Sequence, residues 1–243
     1  ALTGNLCRCT GYRPILEAAE KMFDLPSVTI DREGLKNELR SLQTDSADGL
    51  ALSHNNEQFF APTTLDELLR LKAQHPDATI LAGGTDVGLW VNKQFRQLPT
   101  IIYIGEVTEL KQCRNTPEQL TLGAGVTLSD AYQAIHEIYP EMDQMWERFA
   151  SQPIRNIGTL GGNIANGSPI GDSMPALIAV GASVVVQSVR GRREMPLEAL
   201  YLDYMKKDLA LDEVVTEITL PVPSDSQQLR CYKLSKRYDS DIS

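Results

Sequence analysis

Two glycine-rich segments and one close pair of cysteines are the parts of this 243-residue sequence whose residue types and spacing could do chemistry. The first segment is Leu81-Ala82-Gly83-Gly84-Thr85-Asp86, continuing through Val87 and Gly88. The second runs from Arg155 to Asp172 and holds Gly158, Gly161, Gly162, Gly167 and Gly171 among Asn156, Asn163 and Asn166. Glycine tolerates positive φ and close backbone approach, so such loops can turn several unpaired N–H groups toward one anion beside a helix start. The first segment has neither a Walker lysine nor G-x-G-x-x-G spacing, which excludes the standard P-loop and dinucleotide fingerprints. Alone, it is also what an ordinary strand-to-helix turn needs. Two such segments in one chain point further, to a diphosphate gripped from both sides. Asp86 is awkward in that reading, because a carboxylate aimed at a diphosphate repels it; it is expected to turn away and cap the helix that begins at Val87.

Cys7 and Cys9 are separated by one residue, whereas Cys113 and Cys231 stand alone. That is not the dense framework of a small secreted protein, and four scattered thiols suit a reducing, cytoplasmic compartment. His54, His75 and His136 show no ligand spacing and read as surface residues.

The elements that must position these groups can be read from periodicity. Pro14 to Met22 repeats apolar residues near a 3.6-residue period and so places Cys7 and Cys9 on a loop before a helix. Arg32 to Leu42 is a second amphipathic run, and Gln43 to Asn56 is polar enough to read as a linker. Thr64 and Glu67 form a capping box for a helix ending near His75-Pro76. Ala78 to Leu81 then reads as a strand and Val87 to Phe95 as a helix, making a strand, glycine loop, helix unit. Further strands are expected at Ile101 to Ile104 and Gln119 to Ala124, with a helix capped by Thr127 or Ser129 and another around Met142 to Phe149. The glycine-rich Arg155 to Asp172 reads as loop. Beyond it come a short helix (Ser173 to Val180), a β-branched strand (Ser183 to Val189), a charged turn (Arg190 to Arg193) and strands at Glu213 to Leu220 and Arg230 to Arg237. The fold class is α+β, with helices early and antiparallel strands late.

Lys and Arg number 23 against 32 Asp and Glu, a net charge of −9, which disfavours a nucleic-acid partner. The longest uncharged stretch, Ser173 to Val189, is broken by Pro175 and Gly181 and falls short of the roughly 20 apolar residues a membrane span needs. Ala1 opens no signal-peptide pattern, and the start looks like mid-sequence.

The quoted glycine segments, with Ser168-Pro169-Ile170-Gly171-Asp172, resemble the FAD-binding domain of molybdenum-containing hydroxylases. Cys7-Arg8-Cys9-Thr10-Gly11-Tyr12-Arg13-Pro14-Ile15 is similar to the end of that family's helical 2Fe-2S domain. The two in this order resemble the small subunit of bacterial xanthine dehydrogenases. The resemblance implies a division into residues 1–25 (end of the 2Fe-2S domain), 26–56 (linker), 57–230 (an FAD-binding domain of two α/β subdomains) and 231–243 (start of a C-terminal region). It also implies that the chain is a fragment, since the family's upstream C-x-x-C is missing and a cluster needs four thiolates. Cys7 and Cys9 would supply two of them.

Carried over, the family pattern places the pyrophosphate and ribityl chain of FAD between Ala82 to Gly88 and Thr159 to Asn163, with Leu81 also among the cofactor-binding residues. Thr159 and Asn163 would donate side-chain hydrogen bonds, and Gly83, Gly84, Gly161 and Gly162 would admit the backbone. Asp172 would hold a cofactor hydroxyl or cap the following helix, Phe149 would lie near the flavin ring or simply pack in the core, and Lys233 would lie near the ring's polar edge. The implied activity is electron transfer from 2Fe-2S clusters to FAD and on to NAD, in a heteromer with a molybdenum-cofactor-containing large subunit. Two alternatives stay open: the flavoprotein of a carbon monoxide or nicotinate dehydrogenase-type hydroxylase, and a flavin-free scaffold binding an anion or a partner.

Overall fold

The computed structural model of the chain describes residues 11–42 and 49–236. They belong to two compact units, residues 1–47 and 48–243. The first unit contains α1 (Arg13–Lys21), with Pro14 in its first turn, and α2 (Arg32–Leu42). Cys7 and Cys9 lie outside the described residues.

The second unit opens with a mixed four-stranded sheet. Its chain order is β1 (Leu50–His54), β2 (Glu57–Ala61), α3 (Leu65–Gln74), β3 (Thr79–Leu81), α4 (Val87–Asn92) and β4 (Thr100–Tyr103), and its spatial order is β1-β2-β4-β3. β1 pairs antiparallel with β2, whereas β4 lies parallel to both β2 and β3. Thr64 caps α3 by accepting the Glu67 N–H at 3.3 Å, and Leu68 and Leu69 turn the helix into the core. Lys72 is buried, yet its ammonium donates to the Pro76 and Ala78 carbonyls at 2.8 and 2.9 Å and so closes the path from α3 into β3. The glycine loop leaves the carboxyl end of β3, the position where open α/β sheets usually take ligands.

The larger sheet is antiparallel: β5 (Cys113–Asn115), β6 (Gln119–Gly123), β7 (Ser183–Ser188), β8 (Gly191–Pro196) and β11 (Val214–Pro221), in the order β5-β6-β11-β7-β8. Between β6 and β7 the chain forms α5 (Leu128–His136), α6 (Asp143–Glu147), α7 (Gln152–Ile157), α8 (Leu160–Asn166) and α9 (Ser173–Ala179). Ile135, Leu160, Ile164, Leu177, Val184 and Ile218 are completely buried in the shared core. A two-stranded ribbon, β9 (Tyr201–Asp203) with β10 (Lys206–Lys207), precedes β11. The architecture is the expected α+β mixture, with one small strand-helix subdomain and one built on an antiparallel sheet.

Several local expectations are corrected. The supposed linker Gln43 to Asn56 contains β1, and α2 falls inside the wider span 26–56. Arg192 and Arg193 belong to β8 rather than to a turn. The segment Arg155 to Asp172 is largely helical, as α7 and α8. Residues 230–236, expected as a strand, belong to no helix or sheet.

Candidate cofactor-binding site

The two glycine segments meet backbone to backbone. A Cβ placed on Gly83 would lie 1.8 Å from the Ile157 carbonyl oxygen and 2.8 Å from the Gly158 Cα. Glycine is required there by close approach, since only Gly84 in that loop has positive φ, at 73°. Among the described residues, the N–H groups of Gly84, Thr85 and Asp86 meet no protein acceptor. A Cβ on Gly88 would touch nothing within 4 Å, so the space beside the loop is open.

The second segment is built differently from the expected cradle. Thr159 is the N-cap of α8 and its hydroxyl accepts the Gly162 N–H at 3.0 Å. The Leu160 and Gly161 N–H groups go to the Val126 and Ala124 carbonyls, and the Leu128 N–H goes to the Gly158 carbonyl. A Cβ on Gly161 would stand 2.3 Å from that of Ala124, so this glycine lets α8 dock against the chain leaving β6. The amides of this segment are therefore largely consumed within the protein, and of its glycines only Gly167, which ends α8 at φ 63°, is left-handed. What the segment still offers is side-chain chemistry. The Thr159 hydroxyl keeps its proton to donate, and Asn163 Oδ1 is buried with no protein partner. Asn163 thus presents a buried acceptor beside the donor capacity of its own amide nitrogen. The far end of α8 is fixed by the ribbon, with the Tyr201 hydroxyl on the Ile164 carbonyl at 3.1 Å and the Lys207 ammonium on that of Asn166 at 2.9 Å. Burial lowers the pKa of that lysine.

Asp86 occupies the N-cap position of α4, but its side chain makes no capping hydrogen bond. Its carboxyl is pushed above the usual range by burial alone. The capping expectation is therefore wrong: φ −91° and ψ −46° hold Asp86 in helical geometry, unlike the extended backbone that lets Thr64 and Thr159 reach their own helices.

Phe149, Asp172 and Lys233 form a second cluster. The Lys233 ammonium donates to Asp172 Oδ2 at 2.6 Å and to the Arg148 carbonyl at 3.0 Å, and it lies 5.8 Å from the Phe149 ring centroid. The lysine side chain is only 4% exposed, so its charge is held by Asp172. Asp172 neither caps α9 by its side chain nor stands open, and Phe149 belongs to the core. Tyr132 stacks on Trp146 at 4.1 Å, tilts against Phe149 and meets the Ser173 hydroxyl at 3.2 Å, while burial drives its phenol pKa upward. Arg155 of α7 braces the cluster by donating to the Phe149 and Ala150 carbonyls at 2.9 and 2.8 Å. Sequence reasoning missed Arg148 and Arg155, because a lone arginine gives no sign of which carbonyls it will reach.

Two clefts of about 480 and 410 Å³ flank Asp172, one lined by Met145, Cys231 and Lys233, the other by Tyr201, Tyr204 and Lys207. Both take residues from the end of the second glycine segment, Gly167 and Gly171 lining the second cleft, but neither is lined by residues 81–88 or 155–163. The predicted residues therefore gather as two groups joined by α7, whose Arg155 holds the Phe149 end and whose Ile157 touches Gly83.

Residues 54–223 match the family model described as the FAD binding domain in molybdopterin dehydrogenase. Xanthine dehydrogenase of Drosophila pseudoobscura pseudoobscura is 30% identical over 296 residues, covering 100% of this chain and 22% of that protein. The Emericella nidulans xanthine dehydrogenase is 27% identical over 299 residues with the same two coverages. The chain thus spans about a fifth of the length of these relatives. Among solved structures, carbon monoxide dehydrogenase from Hydrogenophaga pseudoflava superposes with a TM-score of 0.70 at 28% identity, covering 74% of this chain and 64% of that one. With the family's match spread over both sheets and both glycine segments, the chain belongs to the FAD-binding domains of the molybdopterin dehydrogenases.

Proposed function

We propose that the chain is the FAD-carrying electron-transfer segment of a xanthine dehydrogenase-like oxidoreductase. The observation that carries the reading is the close approach of Gly83 to Ile157 and Gly158, which packs the loop with unpaired amides against the segment that also holds the buried, partnerless Asn163 Oδ1. These residues fit a dinucleotide cofactor. The Gly84, Thr85 and Asp86 amides suit phosphate oxygens, and the Thr159 hydroxyl and Asn163 Oδ1 suit a polyol chain. Gly83 and Gly161 keep the surrounding backbone close and Gly162 leaves room beside the Thr159 hydroxyl, with Leu81, Ala82, Val87 and Gly88 as the walls of the loop. Bound there, FAD supplies two-electron chemistry that can be loaded one electron at a time. The protein's task is to hold and tune it. Phe149 offers an aromatic surface, and the Lys233–Asp172 pair offers a charge whose balance biases the cofactor between oxidised and reduced forms.

In the full reading, electrons arrive from 2Fe-2S clusters, for which Cys7 and Cys9 give two thiolates, and leave to NAD. A molybdenum-cofactor-containing large subunit would be the partner, and the cytoplasm the compartment. Support for the xanthine dehydrogenase type comes from coverage. The relatives of that name match all of this chain, including the residues before position 54, whereas the carbon monoxide dehydrogenase likeness covers 74%.

Flavin content tests the reading. The purified chain is expected to be yellow with one FAD, and Gly162→Val is expected to abolish binding while the protein stays folded. A Gly162→Val protein with stoichiometric flavin absorbance refutes the loop assignment, and a colourless wild-type chain that takes up no FAD refutes the function.

A further inference from the structure

Residues 229–236 form a strap outside any helix or sheet, along which more and less buried side chains alternate. Leu229, Cys231, Lys233 and Ser235 face the protein, while Tyr232 and Leu234 are 74% and 81% exposed. No sheet holds this strap among the described residues. Its inner side chains hold it instead: the Cys231 thiol lies 3.4 Å from Met145 Sδ, and the Lys233 ammonium is bound by Asp172 and the Arg148 carbonyl. Arg148 returns the contact. One guanidinium nitrogen donates to the Lys233 carbonyl at 2.9 Å and the other to the Ser235 hydroxyl at 2.6 Å. Arg148 and Lys233 thus each bond the other's main-chain carbonyl.

We propose that Arg148 is a positioning residue. Its guanidinium fork pins the strap so that the Lys233 ammonium stays between Asp172 and Phe149, and through Lys233 it sets the reduction potential of the bound flavin. The inference rests on the FAD reading above. A planar fork can hold a carbonyl and a hydroxyl two residues apart at once, which the single ammonium of a lysine cannot reproduce. Lys233 has four rotatable side-chain bonds and a strongly hydrated head, so a strap released at 233–235 lets the ammonium leave for solvent. Asp172 then keeps an uncompensated negative charge beside the site, which disfavours the more anionic reduced cofactor and lowers its potential.

The test is an anaerobic redox titration of the FAD-loaded full chain as wild type, Arg148→Lys, Arg148→Met, Lys233→Met and the Arg148→Met/Lys233→Met double variant. Both Arg148 variants are expected to retain FAD and to shift the potential downward, as Lys233→Met does, and the double variant to shift no further than Lys233→Met alone. Arg148→Lys separates the fork from the charge. A wild-type potential in Arg148→Lys, additive shifts in the double variant, or unchanged potentials in both Arg148 variants overturns the proposal. Ser235→Ala, which removes one anchor point without touching Arg148, covers misfolding of the Arg148 variants: a downward shift supports the clasp and an unchanged potential overturns it. A wild-type chain that takes up no FAD overturns the proposal through the function itself, whereas FAD bound with no Lys233→Met shift overturns it at Lys233 and leaves the FAD reading standing.

Discussion

Asp86 shows how one carboxylate can work against both the fold and the ligand proposed for its loop. Burial raises its pKa above the ordinary 3.8, so the native state binds this proton more tightly than the unfolded chain does. The ionised group therefore subtracts stability, beginning as pH rises through the unfolded value and in full above the native one. Asp86→Asn is expected to raise the melting temperature of the FAD-free chain at pH 7, with the gain fading as pH falls toward 3.8. It should also tighten FAD about fivefold, the effect of removing roughly 1 kcal/mol of like-charge repulsion at about 4 Å in water. Flavin fluorescence titration measures this, and a weaker complex would show instead that the carboxylate bonds the cofactor. The glycines separate in the same way. Gly83→Ala forces a Cβ against the Ile157 carbonyl and should cost at least about 1–3 kcal/mol by thermal unfolding. The Cβ of a Gly162 variant meets chiefly Thr159 Oγ1, at 2.7 Å, and should cost about the 1 kcal/mol of a lost cap while removing FAD.

At the scale of elements, α7 joins the two halves of the site. Arg155 reaches carbonyls at the end of α6 and the Phe149 and Ala150 carbonyls beyond it, where Ala150 is held at φ 57°. Charge-assisted hydrogen bonds to carbonyls left over at a helix end contribute about 1.5–3 kcal/mol in total here. Arg155→Ala should lose that much by denaturant unfolding and expose residues 146–150 to hydrogen exchange; unchanged protection there would remove Arg155 as the brace. Arg155→Lys should fall between, keeping the charge and losing the fork. Elements were legible wherever one face is buried and a cap stands at the start: Thr64 with α3, Thr127 with α5, and the Val-rich β7. β1 was not legible, because all five of its residues are exposed and its pairing with β2 is a main-chain matter with no apolar alternation to announce it. α7 and α8 were hidden by their own composition. Their glycines and asparagines suggested positive φ, whereas Gly161 serves a helix docked on Ala124 and Gly83 a loop pressed on Ile157. The strap shows the converse, since a strand was expected at 230–237 but nothing local tells that its partners are Arg148 and Asp172 rather than a strand. For the candidate site, the motif residues named the segments, but which groups are spent inside the protein depends on contacts between distant segments.

At the scale of the molecule, the second unit holds every described residue assigned to the flavin, while the cysteines assigned to a cluster lie at positions 7 and 9. A 2Fe-2S cluster takes four thiolates. The sequence has four cysteines, but Cys113 is on β5 and Cys231 is on the strap against Met145, where burial followed by the Asp172 charge raises its thiol pKa and disfavours the ligating thiolate. Two cysteines so placed are poor candidates to complete a cluster with Cys7 and Cys9. Among the described residues no group of three or more His, Cys, Asp or Glu is arranged to hold a metal ion. A polypeptide of these 243 residues is therefore expected to carry FAD, to contain well under two irons per chain, and to reduce an artificial dye slowly from NADH through the flavin. It should not oxidise xanthine by itself. Iron analysis beside a xanthine assay decides this: two irons per chain would show that Cys113 and Cys231 both join the cluster, and purine turnover without a partner would place the oxidation chemistry within this chain.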